Sequence, residues 1–191
     1  MRTFDPVRIG ELECEAWVGY YQRRWMAVLR ASVGLTRHTF GLSWPATARG
    51  AWLVLRANQL WAPYPDNDPD GARRCMQRFY RLVAARNGEA FDPSQAARLE
   101  VEWWRVHREL QHDRSDEDER PLVDALASLY AHVYSVSPEA VRLAARERAA
   151  AMRISDRWVD EGSLAWSPLI SRERAALVRS YAALLGAVHR A

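Results

Sequence analysis

The stretch FDPSQAARLEVEWWRVHREL, residues 91–110, decides the fold because it repeats a phrase from the start of the chain. Residues 4–17 read FDPVRIGELECEAW, and both copies follow the pattern F-D-P, five residues, L-E-x-E-x-W at an offset of 87 positions. Asp followed by Pro is typical of a helix start, with Asp as the N-cap and Pro in the first turn. Helix starts do not explain the shared phenylalanine or the shared L-E-x-E-x-W. The repetition therefore favours an internal duplication over chance.

A second pair of similar strings supports that duplication. Residues 60–73 read LWAPYPDNDPDGAR and residues 129–142 read LYAHVYSVSPEAVR, at an offset of 69, so the second half is 18 residues shorter before this point. Self-similarity of this kind indicates a repeated structural unit. We expect repeat halves at residues 4–90 and 91–160, related by a pseudo-two-fold, with a C-terminal helix at residues 171–190.

Hydrophobic spacing predicts an all-α fold. Apolar residues recur every three or four positions through most of the chain, and no segment alternates with period two for long enough to indicate a strand. The expected helices cover roughly residues 5–42, 46–61, 68–86, 92–111, 122–134, 137–159 and 171–189. The sequence thus predicts a single-domain bundle of six to seven helices over residues 1–191.

Composition suits one domain with a sizeable core. The chain has 191 residues, nine tryptophans and 49% hydrophobic residues, so it needs no metal or disulfide to fold. Cys14 and Cys75 lack a C-x-x-C spacing and suit a reducing compartment. No apolar run approaches the roughly 18 residues of a membrane span. We therefore expect a cytoplasmic protein without a membrane partner.

The basic residues exclude several chemistries. The chain contains no lysine, so all 27 basic residues are arginine, which excludes a Schiff-base lysine and a GxxxxGK phosphate loop. The net charge of +3 is modest, and the arginines are spread along the chain rather than grouped. An exposed, acidic connector is expected at residues 112–121. We expect no nucleic-acid partner, because nucleic-acid-binding domains usually concentrate basic charge on one face.

A polar stripe on each repeated helix marks the candidate site. The apolar stripe of the second copy consists of Leu99, Trp103, Val106 and Leu110. Beside it lies a second stripe formed by Glu100, Trp104, His107 and Gln111. The matching positions of the first copy are Glu13, Trp17, Tyr20 and Arg24. A pseudo-two-fold would let the two stripes face each other across the centre of the bundle.

Glu100 and His107 are the candidate catalytic residues, as an acid–base pair. A lone histidine at the edge of an apolar helix is more often a structural hydrogen-bonding residue, so both interpretations stay open. The Glu-x-x-His pattern of di-iron bundles is absent, and we expect no metal. No motif identifies a cofactor. Asp156 and Asp160 are expected either to add acids to a central pocket or to pair with neighbouring arginines.

The favoured function is binding of a small, partly aromatic or apolar ligand in a central pocket. Its expected ligand-binding residues are Glu13, Trp17, Tyr20, Trp104 and Gln111. Such sites are mostly apolar with a few converging polar groups. The alternative is a non-catalytic protein–protein interaction module that uses arginine-rich helix faces. The sequence leaves open whether the protein is an enzyme and whether it forms a homo-oligomer.

Overall fold

The structure is a computed structural model that describes residues 3–112 and 118–190. Within these ranges the chain forms eight α-helices and no strand, which confirms the all-α prediction. The helices are α1 (Pro6–Tyr21), α2 (Trp25–Phe40), α3 (Trp44–Trp61), α4 (Pro69–Asn87), α5 (Pro93–His112), α6 (Arg120–Tyr134), α7 (Arg142–Asp160) and α8 (Pro168–Arg190).

The helices pack as a closed ring. Each helix packs mainly against the one before it and the one after it, and α8 packs against α1. Gly10 permits this closure, because a Cβ atom at this position would lie only 2.8 Å from the backbone nitrogen of Val178. The ring brings residues far apart in sequence, such as those of α1, α5 and α7, to a shared interior.

The predicted first helix over residues 5–42 is wrong in length, because it is two helices, α1 and α2. The break at Gln22–Arg24 contains neither glycine nor proline, and Arg23 takes a left-handed conformation with φ of 56°. Close packing accompanies the reversal: a Cβ atom on Gly19 would lie 3.2 Å from Val28 Cγ2. The helix count is therefore eight rather than six to seven.

Two other predicted boundaries differ from the structure. The helix expected over residues 137–159 begins at Arg142, because residues 138–141 form a turn. The last helix begins at Pro168 rather than near residue 171. Half of the acidic connector expected at residues 112–121, namely residues 113–117, lies outside the described residues, and α6 already begins at Arg120. The predicted internal duplication is not shown, although the repeated phrases do begin α1 and α5.

Candidate functional site

A cavity of about 420 Å³ lies inside the ring. Its walls come mainly from α1 to α5, with Arg148 and Met152 of α7 and Tyr181 of α8 at one side. The exposed residues of its lining are Arg23, Tyr64 and His112. Arg23 and Tyr64 follow the ends of α1 and α3, and His112 is the last residue of α5, so these three residues mark the mouth of the cavity.

Aromatic rings form a large part of the cavity wall. The aromatic lining residues are Trp17, Tyr20, Tyr21, Phe40, Trp61, Tyr64, Phe79, Tyr80, Trp103, Trp104 and Tyr181. Trp61 and Trp104 pack against each other across α3 and α5, with ring centroids 5.7 Å apart. Such a surface offers a large apolar contact area to a ligand.

Every residue predicted for the site lines this one cavity. The set consists of Glu13, Trp17, Tyr20, Glu100, Trp104, His107 and Gln111. Arg24, the position that matches Gln111 in the first copy, is exposed and not part of the lining. The polar stripes of α1 and α5 thus border the same space.

The structure adds a row of hydroxyl groups on α2. Ser32, Thr36 and Thr39 all line the cavity at helical spacing. Ser32 and Thr36 are only 2% exposed. The sequence signal was that Ser32 and Thr39 share the three-four spacing of the apolar residues of the predicted first helix, whereas Thr36 lies outside that spacing. Their hydroxyls are available to a polar group of a ligand.

Glu100 belongs to a buried hydrogen-bond network. Tyr80 Oη donates to Glu100 Oε2 at 2.7 Å, and Trp104 Nε1 donates to Glu100 Oε1 at 3.2 Å. Burial raises the pKa of Glu100, although Arg148 and the two donors oppose the rise. The environment therefore favours the neutral form of this carboxyl group more than water does.

His107 pairs with Asp156 of α7 rather than with Glu100. His107 Nε2 lies 3.2 Å from each carboxylate oxygen of Asp156. Gln111 Nε2 donates to Asp156 Oδ1 at 2.5 Å and to Tyr21 Oη at 2.9 Å. A carboxylate oxygen accepts, so Nε2 is the donor of this contact, and Nδ1 has no hydrogen-bond partner among the described residues.

Asp156 contacts residues of the cavity lining but is not itself part of that lining. Its partners are His107 and Gln111, both of which line the cavity. The neighbouring Arg153 instead lies 3.5 Å from Glu119. The sequence could not predict these contacts, because the partners of Asp156 come from another helix.

A buried ion pair that the sequence did not predict lies at the inner end of the cavity. Arg148 donates to a Glu13 oxygen and, at 2.9 Å, to Tyr130 Oη, while Tyr181 Oη donates to Glu13 Oε2 at 2.6 Å. The Arg148 guanidinium also lies 5.0 Å from the centre of the Trp103 ring. Burial lowers the pKa of Arg148, but the neighbouring Glu13 carboxylate raises it. The pKa of Arg148 is raised overall. These contacts join α1, α6, α7 and α8.

Arg108 is the principal cation at the mouth. Its Nη1 donates to the Trp61 carbonyl at 2.9 Å, and its Nη2 donates to Tyr20 Oη at 3.1 Å. The guanidinium lies 4.6 Å from the Trp61 ring centre and 5.5 Å from that of Tyr64. The Arg23 guanidinium lies 5.8 Å from the centre of the Tyr20 ring and donates to the Ala62 carbonyl at 3.0 Å. Within the described ranges, neither arginine has a carboxylate at ion-pair distance.

Among the residues that the structure describes, no group of three or more His, Cys, Asp or Glu residues could hold a metal ion together. None of the helices is long and apolar enough to cross a membrane.

Comparison with known proteins gave no match: no family model, curated protein or solved structure resembles the chain significantly. The residues of the cavity are therefore the basis for proposing a function.

Proposed function

We propose that the protein binds a small, partly aromatic or apolar ligand in the cavity inside the ring. The observation that carries this proposal is the ligand-sized space of about 420 Å³ between α1 and α5. Small-molecule sites are typically clefts of roughly 300–1,000 Å³ with apolar walls and a few polar groups. The aromatic wall and the hydroxyl row of α2 match that description.

The proposed ligand-binding residues have different parts in this site. Trp17, Tyr20 and Trp104 would provide ring surfaces for the apolar body of the ligand. Glu13 is held by Arg148 and Gln111 by Asp156, so these two would fix the shape of the site as well as border it. Side chains held in this way lose little further entropy on binding.

Proton-transfer catalysis is a second candidate function, supported by the orientation of His107. Asp156 holds Nε2, and Nδ1 has no partner among the described residues. A histidine oriented by a carboxylate can serve as a general base. Glu100, whose pKa is raised by burial, would be the acid of the pair. Substitution of His107 by Gln should then reduce turnover at least tenfold while leaving the fold intact; equal turnover would contradict this role.

The alternative proposal, an interaction module with arginine-rich helix faces, is supported by exposed tryptophans. Trp44, Trp52 and Trp166 are 66%, 55% and 81% exposed. The cavity favours ligand binding over this alternative, because an unfilled interior space destabilises a fold and a module without a ligand has no use for it.

A cytoplasmic location is supported by two free cysteines, Cys14 and Cys75, which suit a reducing compartment. Sedimentation tests whether the chain forms a homo-oligomer. The internal duplication is supported by the doubled phrase; a related chain that retains the 18 missing residues in its second half would strengthen it.

A cavity-filling substitution tests the proposed function. Ser32→Phe places a large ring in the cavity from a position that is 2% exposed. Ser171→Phe is the matched control, because Ser171 is an exposed helical serine outside the lining. Calorimetric titration with small aromatic compounds should detect binding to the wild type and the Ser171 variant and none to the Ser32 variant. Equal binding by all three would overturn the proposal.

A further inference from the structure

We infer that the ligand is an organic carboxylate whose apolar or aromatic body lies in the cavity and whose acid group lies against Arg108. This inference rests on the proposed function, since it names the chemical class that the same cavity would accept. Arg108 at the mouth is half-buried. Its partners are aromatic rings, a hydroxyl and a carbonyl, and it has no acidic partner among the described residues.

The free donors of Arg108 suit a carboxylate. A guanidinium has five N–H donors in a planar fork. Among the described residues, the Trp61 carbonyl and Tyr20 Oη use two of these donors, and the other three have no partner there. Contacts with the Trp61 and Tyr64 rings further restrict the plane of the guanidinium. A fork that is already oriented can bind a carboxylate through two parallel hydrogen bonds at little entropic cost.

The other charges around the cavity favour an anion. Glu13 is paired with Arg148, and Asp156 accepts hydrogen bonds from His107 and Gln111. Glu100 is held in its own network with Tyr80 and Trp104. The acids are therefore engaged by interior partners, whereas two arginines at the mouth lack acidic partners within the described ranges. An approaching anion would be attracted and a cation repelled.

Arg23 strengthens the preference of the mouth for an anion. The interior of the cavity limits the size and polarity of the ligand body. Arg23 is exposed beside Tyr20 and Trp25, where it can attract the acid group without enclosing it. Beyond Arg108 the space is lined by aromatic rings and by the Ser32 and Thr36 side chains, which provide hydroxyl groups. A flat apolar body with one polar substituent would satisfy both surfaces. A cavity of about 420 Å³ accommodates one or two fused rings.

Two probes of nearly equal shape test the inference, 2-naphthoate and its uncharged amide, 2-naphthamide. We expect the wild type, in calorimetric titrations, to bind naphthoate at least tenfold more tightly than naphthamide. Arg108→Gln should abolish that preference. The matched control is Arg98→Gln, because Arg98 is an exposed arginine of the same helix outside the cavity lining and should keep the preference.

A salt titration of the wild type gives the same test without any variant. The affinity for naphthoate should fall as sodium chloride is raised, and the affinity for naphthamide should stay constant. Ser32→Phe should bind neither probe. Equal affinities for both probes, or a preference that survives Arg108→Gln, would overturn the carboxylate inference while leaving ligand binding in the cavity intact. Failure of the wild type to bind either probe would count against the inference and the proposed function together.

Discussion

Replacement of Glu173 by Gln should stabilise the protein increasingly as the pH rises. Glu173 of α8 is fully buried, and neither carboxyl oxygen has a hydrogen-bond partner among the described residues. Burial raises its pKa from 4.5 to about 8, although the nearby Cys14 thiol and Ser155 hydroxyl oppose the rise. The thiol donates, at 3.7 Å, to the Ile170 carbonyl instead. Glutamine keeps the size of this side chain and cannot ionise.

The sign and size of the effect follow from proton linkage. The folded state holds a proton on Glu173 up to a pH of about 8, whereas the unfolded chain loses it near pH 4.5. The protonated carboxyl therefore contributes its full stability below pH 4.5, and this contribution is lost as the pH rises towards 8. Each pH unit in this window removes about 1.4 kcal/mol, so the loss reaches roughly 3 kcal/mol at pH 7 and about 5 kcal/mol above pH 8.

Urea unfolding at pH 4.5, 7 and 8.5 measures this loss. The wild type and Glu173→Gln should differ by less than about 0.5 kcal/mol at pH 4.5 and by roughly 3 kcal/mol at pH 7, with the variant more stable. Glu15→Gln is the matched control, because Glu15 is exposed on the neighbouring α1 and should show no such trend. A constant difference across the three pH values, or a less stable variant at pH 7, would refute the assignment of a protonated, unpartnered Glu173.

Three other substitutions test the packing around the cavity, each by urea melts. Trp104→Ala should cost roughly 3–5 kcal/mol, because Trp104 is 8% exposed, and a loss below about 1 kcal/mol would mean that this side chain is not buried. Gly10→Ala should cost about 1–3 kcal/mol through a clash with the Val178 backbone; an unchanged melt would contradict the close contact of α1 and α8. Arg148→Met should cost about 3–5 kcal/mol by leaving Glu13 without its cation, and adding Glu13→Gln should recover part of the loss.

Local signals in the sequence predicted several helix starts and the composition of the site. Asp5 and Asp68 cap α1 and α4 as expected, accepting hydrogen bonds from the backbone nitrogens of Val7 and Gly71 at 2.9 and 2.7 Å. The stripe containing Glu100 could also be placed, because a helical period of 3.6 residues fixes which side chains share a face. Such features depend on neighbours within a few residues.

Features that depend on contacts between distant helices could not be predicted. The turn at Arg23 has no glycine or proline, so nothing in its composition marks the end of α1. Arg148 lies 135 residues from Glu13, and their pairing exists only because α7 and α1 meet inside the ring. Nothing in the sequence distinguishes Arg108 from the arginines of a solvated helix face, because the groups that orient it, Trp61 and Tyr20, belong to other helices.

Native mass spectrometry tests the ligand cavity most directly. The wild type, Ser32→Phe and Ser171→Phe would each be incubated with the small-molecule fraction of a cell extract and desalted before measurement. A ligand-binding cavity predicts a bound mass of a few hundred daltons on the wild type and the Ser171 variant and its absence from the Ser32 variant. Folded proteins that all stay free of small molecules, or that all bind the same mass equally, would contradict a ligand site inside the ring.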